Sequence, residues 1–171
     1  MEKTNQYNEL LKKYDLNISV ENLSNGQTRC RLQSVPNTPG TWISERKADN
    51  FEKNLGIYDL RMQSDDPFDL HLAGRWAGTH LCERLEKEAY QKEYDLRIQS
   101  DDPYDLFIAA IRAGSHLDKR QERKAYKREY DLRMQSDDSF DSFIAAMRAR
   151  ENLGNEKLEQ KALQRHIELS R

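Results

Sequence analysis

Hydrophobic and polar positions divide the chain near residue 43. Before that point "NQYNELLKKY" has the apolar spacing of a short helix, while "NISVENL" and "TRCRLQS" alternate as strands do, with "SNGQ" between them as a turn. A helix followed by a β-hairpin is predicted, closed by the Pro and Gly of the loop "VPNTPGTW". From Ser44 the pattern changes period, and "SERKADNFEKNLGIYDLRMQ" reads as helix.

The helical part repeats itself. "YDLRMQSDD" from Tyr58 returns as "YDLRIQSDD" from Tyr94 and "YDLRMQSDD" from Tyr130, a period of 36 residues. Within one unit Asp102 is placed to cap a helix, Pro103 to occupy its first position and Asp105 to reinforce its start. "YDLFIAAIRA" is apolar around most of its circumference, as suits a helix buried between neighbours, and Gly114 is expected to break it. Ser115 with Asp118 then makes a capping box for a second helix through "KRQERKAYKREYDLRMQ". The third copy, from Ser139, drifts: its "KAL" falls one place late, and Leu163 stands where Tyr90 and Tyr126 stand earlier.

These readings give a mostly α chain: an α-solenoid of about three 36-residue helix-turn-helix repeats behind a small N-terminal α/β cap containing the β-hairpin. The expected divisions are 1–43 for the cap and 44–171 for the repeat region, with a half-repeat at 44–66 and repeats at 67–102, 103–138 and 139–171. One long helix per unit is the alternative, because Gly78 and Gly114 cost only about 1 kcal/mol inside a helix. The Trp, Leu-Gly and Tyr spacing of tetratricopeptide repeats is absent.

Composition narrows the function classes. Charged residues make up 34% of the chain, with 28 Lys plus Arg against 30 Asp plus Glu, so electrostatic function must come from local patterning and not from net charge. The N-terminus has no apolar signal region and no stretch approaches a membrane span, from which a soluble, cytoplasmic protein is expected. Cys30 and Cys82 sit in unrelated contexts and are expected to be reduced packing residues. Without a Gly-rich phosphate loop, an HExxH or a nucleophile elbow, an enzyme is not expected, nor is a cofactor or metal.

Three groups of residues are candidates for recognition. The repeated phrase and the helix start that follows it place Asp65, Asp66 and Asp69, then Asp101, Asp102 and Asp105, then Asp137, Asp138 and Asp141, along one expected edge. Such an acidic ridge would receive a basic protein surface or imitate nucleic-acid phosphates. The bland explanation is helix capping, with Arg61, Arg97 and Arg133 bridging to the aspartate four residues on. His71, Arg75 and Trp76 of the first unit replace Phe107, Ile111 and Arg112 of the second, suggesting either contact with the cap or a partner site anchored by Trp76. Lys119, Arg120, Arg123, Lys124, Lys127 and Arg128 give the middle unit a basic helix, which is either a solvated face or a phosphate contact.

The order of helix, hairpin, short strand "GTWIS" and helix "SERKADNFEKNL" over about the first 55 residues resembles a double-stranded-RNA-binding domain. Arg46 and Lys47 stand where that family carries basic residues, although its Gly-Pro-His loop is missing. The resemblance implies nucleic-acid binding at that helix start. The leading expectation is nonetheless a non-catalytic protein–protein interaction module, an adaptor or inhibitor acting by surface occupation. The alternative is a nucleic-acid-associated regulator using Arg46, Lys47 and the basic helix. The apolar Ile167 and Leu169 of the last copy leave a homodimer through the C-terminal repeat open.

Overall fold

A computed structural model describes residues 9–22, 28–34, 41–43 and 50–171 of the chain. A helical stretch at residues 9–13 precedes three strands: β1 (Leu16–Asn22), β2 (Thr28–Ser34) and β3 (Thr41–Ile43). They form one antiparallel sheet in the order β1-β2-β3, with Leu16 opposite Ser34 and Cys30 opposite Ile43. The strands run over the alternating segments; the "SNGQ" turn lies outside the described residues.

The rest is helical: α1 (Phe51–Met62), α2 (Pro67–His80), α3 (Glu83–Arg97), α4 (Pro103–His116), α5 (Lys119–Arg133), α6 (Ser139–Arg148) and α7 (Glu156–Leu169). The chain is therefore mostly helical, and α4 to α7 pack in succession, consistent with a helical repeat. Among the described residues no helix is long and apolar enough to cross a membrane. The chain clusters into two compact units, residues 1–64 with 72–86 and residues 65–71 with 87–171.

In the first unit Phe51, Leu55, Tyr58, Ala73, Ala77, Leu81 and Leu85 are buried. Tyr14 meets Tyr58 edge to face at 5.3 Å and donates to Asp59 Oδ1, which Lys13 also contacts. In the second unit one core gathers Tyr94, Leu106, Ala109, Ala110, Ala113, Ala125 and Tyr126, and another gathers Tyr130, Ala145, Ala146, Ala149 and Ala162. Alanine dominates where the helices cross, so the backbones approach closely and the larger rings fill the remaining space.

Two local expectations are corrected. Gly114 does not end α4, which continues to His116, and Ser115 caps nothing: its hydroxyl donates to the Ile111 carbonyl. Asp118 alone caps α5, accepting from the amides of Arg120 and Gln121. A Cβ on Gly114 would meet the Glu122 carboxyl at 2.8 Å and one on Gly78 that of Glu86 at 2.7 Å, in each case the far end of a flexible side chain that can swing aside.

The drift of the third copy has a structural cause. Residues Ala149–Leu153 form a π turn before Gly154, at φ 60°, ends the helix and Asn155 caps α7. A π turn absorbs one extra residue. The same insertion shows in a repeated bond, in which the tyrosine of the phrase donates its hydroxyl to a carbonyl of the next second helix. Tyr58 reaches Leu85 and Tyr94 reaches Gln121, both 27 residues on, but Tyr130 reaches Leu158, which is 28 on.

Candidate binding surface

The charged phrase folds partly inward. Glu93 and Glu129 stand one residue before Tyr94 and Tyr130, and they are 1% and 0% exposed. Arg97 bridges Glu93 Oε1 at 2.9 Å and Asp105 Oδ1 at 2.5 Å; Arg133 repeats this with Glu129 at 2.9 Å and Asp141 at 2.6 Å. The expected pairing of Arg97 with Asp101, and of Arg133 with Asp137, does not form. The helix ends at the arginine, and the turn that follows carries the first residues of the next helix back alongside it. Asp101 and Asp137 lie instead 3.5 Å from Arg128 and 3.6 Å from Arg165.

A second arginine joins each buried glutamate. Arg148 approaches Glu129 at 3.3 Å while its guanidinium lies over the Phe107 ring at 4.1 Å. Its counterpart Arg112, 36 residues earlier, reaches His71 Nε2 at 3.3 Å and acts on Glu93 through its charge. Burial raises the Glu93 carboxyl above its ordinary value, and Arg97 and Arg112 oppose that rise. His71 Nδ1 stands 3.8 Å from Glu93 Oε2, and Tyr90 stacks on His116 at 3.8 Å. In the first copy the glutamate position is Ile57 and the second arginine position is Trp76, so both partners are exchanged for apolar residues together.

Of the nine ridge aspartates, Asp105 and Asp141 are thus held by buried-side arginines and Asp69 lies half-buried in the first turn of α2. Asp66, Asp102 and Asp138 each accept the amide two residues ahead, that of Phe68, Tyr104 or Phe140, at 2.8 Å, and remain exposed. Asp65, Asp101 and Asp137 are exposed as well, the last two at 91% and 99% of their side chains. The six exposed carboxylates all belong to the second unit. Capping accounts for three of them, Asp66, Asp102 and Asp138.

The other candidates separate. His71 is 8% exposed and sits among Tyr90, Glu93 and Arg112 in the second unit. Arg75 is exposed, and Trp76 is half-buried with its ring 4.2 Å from that of His80. Ile111, read from sequence as core, is 38% exposed, so Arg75 occupies an outward position and not a core one. On α5, Lys119 pairs with Glu122 at 2.7 Å, Lys127 with Asp131 and Arg128 with Asp101, and Arg123 donates to the Leu153 carbonyl. Arg120 and Lys124 are exposed. Arg46 and Lys47 lie outside the described residues.

Sequence reasoning missed the buried glutamates and the outward aromatic residues. The signal was present: "EYDLR" occurs in the second and third copies, with Ile57 breaking it in the first, and an aromatic residue follows each Pro or Ser after the aspartates. No family model, no curated protein and no solved structure matches the chain.

Proposed function

We propose that the chain is a non-catalytic protein-binding module, an α-solenoid of about three repeats with an N-terminal α/β cap over residues 1–43, acting as an adaptor or inhibitor by occupying a partner's surface. The carrying observation is the division of the repeated aspartates: Asp105 and Asp141 are taken up by Arg97 and Arg133, while Asp65, Asp66, Asp101, Asp102, Asp137 and Asp138 stay exposed in equivalent places. Capping requires one aspartate per helix start, and the adjacent one is surplus to it; of these, Asp101 and Asp137 make only exposed bridges, at 3.5 Å to Arg128 and 3.6 Å to Arg165. Carboxylates aligned in this way favour a basic protein surface and speed its encounter. The basic helix is a weaker candidate, since four of its six cations have partners within the chain.

A second reading rests on the sheet. A helical stretch, three antiparallel strands in sequential order and α1 follow the order that the resemblance to double-stranded-RNA-binding domains implies, which favours a nucleic-acid contact through Arg46 and Lys47.

Affinity capture from host lysate, with and without nuclease, separates the two. The bait is compared with a variant carrying Asn at Asp65, Asp66, Asp101 and Asp102. A protein partner that survives nuclease and is lost from the variant is the expected result. Partners held equally by both baits and released by nuclease would overturn the acidic edge in favour of Arg46 and Lys47.

A further inference from the structure

The apolar faces of the first helices are not all used by the core. Phe68, Tyr104 and Phe140 occupy the second position of α2, α4 and α6 and are 59%, 63% and 62% exposed. They are 36 residues apart and all belong to the second unit. Seven residues beyond Tyr104 and Phe140, on the same side of their helices, Ile111 and Met147 are exposed too. Some positions of this segment diverge, Pro67 and Pro103 becoming Ser139 and Leu70 and Leu106 becoming Ser142, while Asp69, Ala73 and Ala77 are kept in every copy. The outward ring position stays aromatic in all three.

Single exposed apolar residues need no explanation, but a row at one register is a patch. The helices that carry it abut through side chains, Arg112 on His71 and Arg148 on Phe107. The charge on this face is mainly acidic, although Arg75 is exposed seven residues beyond Phe68 and Arg128 and Arg165 lie 3.5 Å and 3.6 Å from Asp101 and Asp137. Every cation of α4 and α6 turns inward: Arg112 and Arg148 to the contacts just given, and His116 to Tyr90. Outside stand the aspartate pairs that precede each ring.

We propose that this aromatic row, bordered by its aspartates, is the docking groove for a basic amphipathic helix of a partner protein; the proposal rests on the acidic-edge reading above. The carboxylates repel phosphates, which disfavours nucleic acid stacked on the rings and an anionic bilayer alike. Spacing favours a helix over an extended segment. Packed helices lie about 8–10 Å apart, close to the rise of about 10.5 Å between a helical residue and the seventh after it, whereas same-face side chains of a strand recur every ~6.8 Å. A heptad of aliphatic residues would therefore meet one ring per turn pair, with Lys or Arg beside them reaching the aspartates.

The test uses two labelled peptides of equal length, one of Leu at heptad core positions with Lys elsewhere and one with Glu replacing Lys, titrated with the full chain by fluorescence anisotropy. The Lys peptide is expected to bind and the Glu peptide not. A variant with Phe68→Ala, Tyr104→Ala and Phe140→Ala, which leaves the far-UV spectrum and melting unchanged because the rings are exposed, should bind the Lys peptide at least about tenfold more weakly. Asp101→Asn with Asp137→Asn should weaken it and flatten its salt dependence. Equal binding of both peptides, no binding of either, or full binding by the alanine variant would overturn the proposal. So would a wild-type dimer that the alanine variant dissolves, which would make a second copy the occupant. Weakening by the alanine variant without weakening by the asparagine variant would contradict the acidic edge alone; the reverse would remove the aromatic row and leave the edge standing.

Discussion

Glu93 illustrates how a side chain with no apparent reason to be buried can organise its surroundings. Its carboxylate takes the Arg97 Nε–H at 2.9 Å, and through Arg97 it fixes Asp105 and so the start of α4. Because burial raises its protonation point above the ordinary 4.5, folding favours the protonated acid. The stability it contributes is therefore fully present below the unfolded value and is lost as pH rises through the raised folded value. Asp59 has the opposite sign: although burial opposes it, hydrogen bonds from Lys13, Tyr14 and Gln63 lower its value, and its contribution is lost on acidification. For Glu93→Gln, melting temperatures recorded from pH ~4 to ~7 should move in favour of the variant as pH rises. A difference between variant and wild type that stays constant over that range would contradict this account of Glu93.

At the scale of the elements, the copies carry their own comparison. Where the second and third pair Glu93 with Arg112 and Glu129 with Arg148, the first has Ile57 and Trp76. The exchange implies that the buried glutamate and the second arginine are one unit. Glu129→Ile alone should cost about 3–5 kcal/mol, because Arg133 and Arg148 lose a buried acceptor. Adding Arg148→Trp should recover part of it, with a coupling of about 1 kcal/mol or more in a double-mutant cycle by denaturant unfolding. Strict additivity of the two substitutions would contradict the pairing.

Helix pairing was legible in the sequence because a 36-residue period and the Asp102–Pro103 start are local signals, and both are realised in α4. The corner is not legible, because a glycine inside a helix costs only about 1 kcal/mol and does not end it, and α4 runs on through Gly114 to His116. The arginine pairing failed for a related reason. A spacing of four predicts contact only while the helix continues, and here it stops at Arg97 and Arg133. The largely apolar circumference of "YDLFIAAIRA" predicts a helix buried between neighbours, whereas Tyr104 and Ile111 are exposed.

For the molecule as a whole, the proposed function divides one repeated phrase between two tasks. Its tyrosine, its arginine and the aspartate eight residues beyond that arginine join successive helices; the aspartate pair and the aromatic residue after it make a surface. Thermal melting of two asparagine variants separates these tasks most directly. Asp105→Asn with Asp141→Asn removes two partly buried arginine bridges, each worth about 1 kcal/mol. For a chain of this length that should lower the melting temperature by roughly 4–8 °C. Asp101→Asn with Asp137→Asn, at side chains 91% and 99% exposed, should leave it unchanged. Equal losses from both variants would contradict the division, and the aspartates would all be structural.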